Sequence, residues 1–487
     1  GDSYRDYSLP WSHAVWHRRS SARLCDGGGK VTPRHAKPAV GRELDRIEQA
    51  LAALNAETSL PWQLPARLIL VRAYAALGEV AAVAVEGPKG VGKTAAATRQ
   101  AVSVIRLDDD SQRQAFEADP NRIRSLASPL LIDEWQRSPQ AWDVARRWVD
   151  DGAPTGSVIL TGSAHPAGAA IHSGAGRIVP LRMRPLSLAE RFPGTATVSL
   201  GGLLSSQASV EGISSVGFPE YVREITASGF PGIRSLAPRG QRLQLDAYIE
   251  NVIHREFAQQ GHVVRAPDTL RRWMRAYAAA TATTASYATV LEAATPAEGA
   301  KPAKTTAIAY RDVLSSLWLL DPVEPWVPRG NELGRLSQAP KHFLADPALV
   351  CRLLELDSDE LLGFDGDGSR TSEFFGSGYG PLLGRLFEAL VALSLHAYAS
   401  HAEARLGHFR TRNGDREVDF IVQRGRRVVA FEVKLSAAVD DSDVRHLRWL
   451  RDRLGPQLAD AAVITTGELA YRRSDGIAVI PAALLGA

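Results

Sequence analysis

The order of apolar and polar stretches predicts alternating strands and helices between residues 81 and 186. Four short apolar runs have the length and composition of buried strands, and helical stretches separate them. These runs lie at 81–85, 102–107, 129–134 and 157–160, and the first separating helix is expected over 95–102. Because strands that alternate with helices favour a parallel, helix-covered sheet, the first prediction is an α/β domain.

Residues 233–335 follow a mostly helical pattern, with amphipathic stretches at 248–257 and 270–280. Thr305 and Thr306 are placed to cap a further helix that runs to about residue 317. Three prolines between 321 and 329 then indicate a turn or wing. This is the plan of a winged helix, which can read DNA. Since Arg311 is the basic residue of that helix, a packing role is equally well supported.

The turn after the first predicted strand has the sequence Gly-Pro-Lys-Gly-Val-Gly-Lys-Thr. Two glycines five residues apart, followed by Lys-Thr, fit the P-loop pattern, and a strand before it and a helix after it are the required context. In such a loop, backbone N–H groups wrap a polyphosphate at a helix N-terminus. Lys93 would contact the β- and γ-phosphates and Thr94 would hold Mg²⁺. The predicted ATP site comprises Gly87, Pro88, Lys89, Gly90, Val91, Gly92, Lys93 and Thr94.

The third predicted strand, 129–134, ends in two carboxylates, as a Walker B segment does. We expect Asp133 to bind Mg²⁺ through its water shell and Glu134 to polarise the attacking water. Both residues would lie at the carboxyl ends of the strands, where open α/β sheets bind ligands. After the fourth strand, Thr161 or Ser163 is placed to sense the γ-phosphate, although a simple strand-end turn explains either residue equally well.

Residues 417–434 alternate like two strands around Gly425-Arg426, a loop that suits a type II′ hairpin. This loop pairs Arg424 with Arg427, and the same register places Asp419 opposite Glu432. Opposed carboxylates have Cβ atoms about 5 Å apart and repel, and a divalent cation would compensate.

The same register pairs Glu417 with Lys434, on the face that carries the two carboxylates. The opposite face is predicted to be the core face. It comprises Val418, Phe420, Val422, Val429, Phe431 and Val433.

Composition limits the possible partners. The net charge of +3 means that any nucleic-acid contact must come from local basic patches. Arginines crowd the hairpin segment, where they suit phosphate contacts or a solvated strand edge. The two cysteines lie far apart and form no metal-ligand or redox pattern. No apolar run is expected to span a membrane, so the sequence predicts a cytoplasmic protein without a membrane partner.

Several motifs, taken in order, resemble one family. They are the P-loop, Leu-Ile-Asp-Glu-Trp-Gln-Arg-Ser-Pro, Ile-Leu-Thr-Gly-Ser, and Gly-Arg followed by Leu-Arg-Met-Arg-Pro-Leu-Ser-Leu. Over about residues 36–487 the chain resembles bacterial and archaeal ATPases of the AAA+ superfamily that carry a C-terminal region related to PD-(D/E)XK nucleases. The resemblance implies a homo-oligomeric ring and an arginine finger, for which Arg177 is the candidate. A surface salt bridge explains Arg177 equally well.

The same resemblance assigns roles in the C-terminal hairpin. It implies that Asp419 and Glu432 bind Mg²⁺, that Lys434 steadies the attacking water or the transition state, and that Glu388 on a preceding helix completes the site. Metal-activated water fits phosphodiester hydrolysis. The alternative is a solvated face with a Glu417–Lys434 ion pair, and many proteins of this superfamily keep the fold without the activity.

These predictions divide the chain into four parts. Residues 1–35 are an N-terminal extension predicted to be disordered, 36–232 an AAA+ ATPase domain, 233–340 a helical, winged-helix-like region and 341–487 an α/β nuclease-like domain. The predicted function is ATP hydrolysis with Mg²⁺ that acts on DNA, by remodelling or processing branched or broken DNA. The alternative is a nucleotide-dependent switch whose inactive nuclease-like domain binds a partner or DNA.

Overall fold

A computed structural model describes residues 68–163, 174–295, 303–328, 338–363, 380–411 and 414–487. The predicted N-terminal extension, 1–35, lies outside the described residues.

The first sheet is parallel and five-stranded, in the order β2-β3-β4-β1-β5. Its strands are β1 (Ala82–Glu86), β2 (Ser103–Arg106), β3 (Leu130–Asp133), β4 (Val158–Gly162) and β5 (Ile178–Arg182). The helices that follow the chain through it are α1 (Leu68–Leu77), α2 (Lys93–Thr98), α3 (Asp110–Ala118) and α4 (Gln140–Asp150). The predicted parallel, helix-covered sheet is therefore confirmed, although α2 ends earlier than the sequence pattern indicated.

The central strands are buried on both faces, which is why they appear in the sequence as continuous apolar runs. In β1, Val83 and Val85 pack into the main hydrophobic core, while Ala82 and Ala84 pack into a second cluster on the other face. The strand order places β4 between the P-loop strand β1 and the Walker B strand β3. Side chains at the end of β4 therefore lie between those two motifs.

A mostly helical region follows. Its elements are α5 (Leu188–Arg191), β6 (Val198–Ser199), α6 (Leu200–Ser205), β7 (Gly212–Ile213), α7 (Phe218–Thr226), α8 (Pro231–Arg234), α9 (Pro238–Asn251), a π-helical turn (Val252–Glu256), α10 (Phe257–Gln259), α11 (Pro267–Ala279), α12 (Tyr287–Ala293) and α13 (Lys304–Ser316). The predicted threonine cap is wrong, because α13 begins at Lys304 and its N-cap residue, Ala303, has no capping side chain. After α13, single bridges pair Leu320 with Leu344 and Val323 with Lys341.

The C-terminal part is built on a second sheet. Its elements are α14 (Pro347–Leu353), α15 (Ser358–Leu362), α16 (Gly380–His401), β8 (Arg405–Arg410), β9 (Glu417–Arg424), β10 (Arg427–Val433), α17 (Arg445–Leu454), β11 (Leu458–Thr465), β12 (Leu469–Arg472), β13 (Ala478–Pro481) and β14 (Leu485–Gly486). The sheet order is β7-β12-β13-β11-β10-β9-β8. Strands β9 and β10 form the predicted hairpin, with Arg424 paired to Arg427 and Phe420 paired to Phe431.

The predicted core face of this hairpin is wrong at one position. Phe420 packs into the main core, but Val418 packs into a separate cluster with Ile421. The pairing of β9 with β8 shifts by one residue between Gly407 and Phe409, so two β9 residues oppose one residue of β8. A bulge of this kind reverses the alternation of side chains, and it lies at Asp419, beside the predicted site.

Several contacts join the two sheets into one packed body. Strand β7 pairs with β12, and β14 pairs with β6, so short strands from residues 198–213 complete C-terminal pairings. Asp321 is buried and accepts ion pairs from Arg182 at 2.9 Å and Arg184 at 2.6 Å, at the end of β5. The domain boundaries inferred from sequence stay a prediction.

Helix α16 departs from the expectation that no apolar run is long enough to span a membrane. It is 22 residues long and apolar enough to do so. Two-thirds of its most apolar window is buried, as in the core helix of a folded domain. Its hydrophobicity is therefore accounted for by packing.

Candidate functional site

The loop between β1 and α2 depends on its glycines. Gly87, Gly90 and Gly92 have φ values of 152°, 77° and 97°, a region that other residues rarely adopt. A Cβ atom on Gly87 would also lie 2.2 Å from the carbonyl oxygen of Met183. The glycines therefore let the backbone curl into a tight cradle at the start of α2, as the sequence predicts.

Lys93 points back into this cradle. Its Nζ donates to the carbonyl oxygens of Gly87 at 2.8 Å and Pro88 at 2.9 Å, and the residue is buried. Burial lowers the pKa of Lys93 to about 8, and the negative charges of Glu134 and Asp133 oppose that shift. The amine is thus held where a polyphosphate would supply a stronger acceptor than the two carbonyls.

Thr94 and Asp133, the two residues predicted to hold Mg²⁺ beside the nucleotide, are brought together. The Thr94 hydroxyl donates to Asp133 Oδ1 at 2.8 Å, and the Thr161 hydroxyl donates to the same oxygen. Asp133 is almost fully buried. A hydroxyl and a carboxylate are the hard oxygen ligands that Mg²⁺ prefers, so the arrangement fits this ion.

Glu134 has an unusual backbone. Its φ of 53° and ψ of 45° place it in the left-handed region, where a non-glycine residue costs of order 1–3 kcal/mol. Gln136 Nε2 donates to Glu134 Oε2 at 2.5 Å and to the hydroxyl of Ser163 at 3.2 Å. Burial raises the pKa of Glu134, while the charge of Lys93 opposes the shift. Strain of this kind is common at catalytic residues.

Gln136 links the predicted γ-phosphate sensor Ser163 to the predicted catalytic Glu134, and sequence reasoning missed it. Its signal was its position, two residues after the Walker B carboxylates. The link requires close packing at the end of β4, since a Cβ atom on Gly162 would lie 2.5 Å from Trp135 Nε1.

The helical region forms one wall of the same site. Lys89, in the P-loop, pairs with Glu256 at 2.6 Å and Gln259 at 3.1 Å. The Tyr248 hydroxyl donates to the carbonyl oxygen of Lys89 at 3.3 Å. A cavity of about 360 Å³ lies between the P-loop and this wall, with Arg255 in its lining. The P-loop and the helical region thus line one cavity.

Arg177 lies away from the P-loop. Strands β1 and β5 are parallel, and their first residues, Ala82 and Ile178, are paired. Arg177 precedes β5 and the P-loop follows β1, so the two lie at opposite ends of these strands. The Arg177 side chain is 45% exposed, and its Nε donates to Asp150 at 2.7 Å. This is the surface salt bridge that sequence analysis left open, and the position excludes contact with the nucleotide of its own chain.

The C-terminal carboxylates surround a lysine that sequence reasoning missed. The buried Nζ of Lys341 lies 2.8 Å from Glu388, 3.0 Å from Asp419 and 3.4 Å from Glu417. Burial lowers the pKa of Lys341, but the charges of Asp419 and Glu388 outweigh it, so the pKa lies above the ordinary value. No local signal marks this residue, because its partners lie 47 to 78 positions later in the chain.

Glu432 and Lys434 form a second pair beside this cluster. Lys434 Nζ lies 3.0 Å from Glu432 Oε1, and the other oxygen of Glu432 has no hydrogen-bond partner among the described residues. Asp419 Oδ2 instead accepts a hydrogen bond from the backbone N–H of Val433 at 2.9 Å. Burial, with the nearby charge of Asp419, raises the pKa of Glu432, and the charge of Lys434 opposes that shift.

These residues do not fit the Mg²⁺ site that the nuclease resemblance implies. Within the described ranges, no three Asp, Glu, His or Cys side chains are grouped as a metal site. Glu388 and Asp419 converge on the Lys341 ammonium, and a divalent ion bridging them at about 2.1 Å would collide with it. The assignment of Asp419, Glu432 and Glu388 as metal ligands therefore stays a prediction, which this arrangement does not support.

Comparison with known proteins matches three parts of the chain to family models. Residues 80–192 match an AAA domain, 219–360 match a domain of unknown function (DUF8612) and 383–485 match another domain of unknown function (DUF4143). The chain is 26% identical over 443 residues to two proteins described as uncharacterized, Rv2008c of Mycobacterium tuberculosis and Mb2031c of Mycobacterium bovis. The alignment covers 88% of this chain and 88% of each relative.

Among solved structures, the chain is similar to the Walker-type ATPase PABY2304 of Pyrococcus abyssi, with 13% identity and a TM-score of 0.36. The match covers 61% of this chain and all of that one. The AAA-domain match coincides with the five-stranded parallel sheet and its P-loop. The AAA-domain match and the parallel sheet with its P-loop therefore support a P-loop ATPase domain in residues 80–192.

Proposed function

We propose that this chain hydrolyses ATP at the P-loop and uses that turnover to act on DNA, by remodelling or processing branched or broken DNA. The observation that carries the proposal is the convergence of Lys93, Thr94, Asp133 and Glu134 at the carboxyl edge of one parallel sheet. These side chains supply the phosphate contact, the ion-binding oxygens and the carboxylate that ATP hydrolysis requires.

Each side chain has a distinct task in this proposal. The P-loop amides and Lys93 hold the phosphates, while Thr94 and Asp133 hold Mg²⁺, which when bound neutralises charge on the γ-phosphate. Glu134 orients the attacking water and accepts its proton. Gln136 donates hydrogen bonds to both Glu134 and Ser163, so it links the catalytic carboxylate to the residue that would contact the γ-phosphate.

Action on DNA requires a surface for it, and the C-terminal sheet offers a candidate. A cavity of about 570 Å³ is lined by Trp326, Phe409 and Trp449 together with Arg426 and Arg453. The Phe409 and Trp449 rings stack at 5.8 Å, and the Arg453 guanidinium lies 5.6 Å from the Trp449 ring. Aromatic rings beside arginines are the means by which proteins bind single-stranded nucleic acid without sequence preference.

A ring of copies would give Arg177 its proposed role. Because this arginine is remote from its own nucleotide, it can act only on the nucleotide of a neighbouring copy. Arg177→Ala chains mixed with Glu134→Gln chains should then recover part of the hydrolysis that each lacks alone. A chain that stays monomeric with ATP at micromolar concentration would contradict this role.

The second candidate is a nucleotide-dependent switch whose C-terminal domain binds a partner or DNA and cuts nothing. The buried contacts of Lys341 favour this candidate over a nuclease, since they take up the carboxylates that a metal would need.

The test is the steady-state ATPase rate with and without single-stranded, duplex and four-way-junction DNA. Coupled action predicts a several-fold stimulation by at least one of these DNAs, and a loss of that stimulation when Trp449 is replaced by Ala. Trp148→Ala, a tryptophan substitution in the ATPase domain, is the control. A slow ATPase rate that stays the same with every DNA would contradict the DNA proposal and favour the nucleotide-dependent switch.

A further inference from the structure

The position of Lys341 is fixed by contacts other than those of its ammonium with the carboxylates. Its backbone N–H donates to the carbonyl of Val323 at 2.9 Å and its carbonyl accepts from the N–H of Val323 at 2.9 Å. Its side chain is 2% exposed, and its Nζ lies 5.7 Å from the ring centre of Phe420. The backbone pairing and the apolar surroundings fix the side chain, so the fold itself determines where the ammonium lies.

Three carboxylates from two separate elements meet this charge. Glu388 comes from helix α16, while Glu417 and Asp419 come from strand β9. Glu388 and Asp419 have side chains only 13% and 15% exposed, so water screens them poorly. Without a cation between them, Glu388 and Asp419 would repel each other in a region of low dielectric constant.

We infer that the Lys341 ammonium permanently occupies the cation position of this carboxylate cluster, so that the C-terminal domain folds and works without a divalent metal. Such a domain cannot cleave phosphodiesters through a metal-activated water at Asp419. The ammonium supplies the charge compensation that a nuclease would obtain from Mg²⁺. This inference does not depend on ATP hydrolysis.

The geometry explains why lysine serves here. An ammonium has three donors, and three carboxylates lie within 3.4 Å of this one. A metal that entered would have to displace a buried charge that is already hydrogen-bonded. Two cations at such short range repel strongly when water is excluded.

The first experiment measures thermal unfolding of the full chain without nucleotide, with and without millimolar Mn²⁺. Asp133→Asn serves as the background, because it removes the metal site beside the P-loop. We expect Mn²⁺ to change the melting temperature of Asp133→Asn and of Asp133→Asn with Asp419→Asn by the same amount. Stabilisation by Mn²⁺ that Asp419→Asn abolishes would overturn the inference, as would Mn²⁺-dependent DNA cleavage that the same substitution abolishes.

The second experiment converts the cluster to a metal site in the same background. Lys341→Met should lower the melting temperature by several degrees, and Mn²⁺ should restore part of that loss. Lys341→Arg, which keeps the charge, is the matched control and should not respond to Mn²⁺. A Lys341→Met chain as stable as its parent, or one that Mn²⁺ leaves unchanged, would contradict the inference. If this variant does not fold, the first experiment still decides.

The ATPase rate serves as a separate readout. Because the Lys341 cluster lies outside the P-loop site, folded Lys341→Arg chains should hydrolyse ATP at the parental rate when the wild-type P-loop is present. Failure of the ATPase proposal would appear as no hydrolysis in any chain. Failure of the present inference would appear only in the response to Mn²⁺.

Discussion

Glu134 joins backbone strain to chemistry at a single residue. Its left-handed conformation departs from the extended backbone of β3, and Gln136 donates a hydrogen bond to its carboxylate. The backbone cost is offset by surrounding packing, including the fit of Trp135 against Gly162. A hydrogen bond to the ionised carboxylate also lowers its pKa, which opposes the effect of burial.

Gln136 should therefore control the pH dependence of hydrolysis. In Gln136→Ala the carboxylate loses its donor, so its pKa should rise and the acid limb of the kcat profile should move to higher pH. We expect kcat at neutral pH to fall by about tenfold, which is less than the roughly 10²–10⁴-fold that a general base contributes, because the carboxylate is displaced but not removed. Arg137→Ala, which changes an exposed neighbour, is the control. An unchanged pH profile in Gln136→Ala would show that the contact is incidental.

Sequence reasoning succeeded for residues whose neighbours are local. The P-loop glycines, Lys93 and Thr94 lie within eight consecutive positions, and their conformation is dictated by that short segment. Lys341 could not be found in this way. Its carboxylate partners belong to a helix and a strand brought together only by the tertiary fold. The charge of a residue is visible in a sequence, but the charges it will face are not.

At the scale of elements, the β9–β10 hairpin also combines features set by the local sequence with features set by tertiary contacts. Gly425, with a φ of 61°, fixes the two-residue loop and therefore the register that the sequence predicts. The bulge at Asp419 arises from the pairing of β9 with β8, which no feature of the hairpin itself specifies. A single extra residue was enough to move Val418 to another hydrophobic cluster.

Helix α16 brings a buried histidine against the ion-pair cluster at the end of β5. His396 Nε2 lies 3.7 Å from Asp321 Oδ1, beside Arg182 and Arg184. Burial lowers the pKa of His396 to about 3; the Asp321 charge opposes this shift and the two arginines add to it. The imidazole is therefore neutral in the folded chain well below the pH at which an unfolded chain protonates it.

This histidine should make stability depend on pH in a defined direction. Below about pH 6.5 the unfolded chain binds a proton at His396 and the folded chain does not, so stability falls as pH falls toward 3. As pH falls, the free energy of unfolding of wild type should decrease relative to that of His396→Asn, by at most about 1.4 kcal/mol per pH unit. Urea unfolding at pH 7.5, 6.0 and 5.0 measures it. The difference between the two chains is used because the raised pKa of Glu388 acts in the opposite direction. A pH-independent difference would contradict the assignment.

At the scale of the whole molecule, the two sheets are joined by pairings that sequence-based boundaries do not reveal. A buried core runs from helix α1 to the C-terminal strands, and Arg182 and Arg184 tie the end of β5 to the segment that leads to Lys341. Glu256 joins the helical region to the P-loop through Lys89.

The central claim, that this chain hydrolyses ATP at the P-loop, is tested most directly by comparing wild type with Glu134→Gln and Lys93→Ala. Nucleotide binding and phosphate release should be measured on the same preparations. We predict that Glu134→Gln still binds ATP and releases phosphate at least about a hundredfold more slowly, since only water activation is removed. Lys93→Ala should lose ATP binding. Equal phosphate release by wild type and Glu134→Gln would contradict the account.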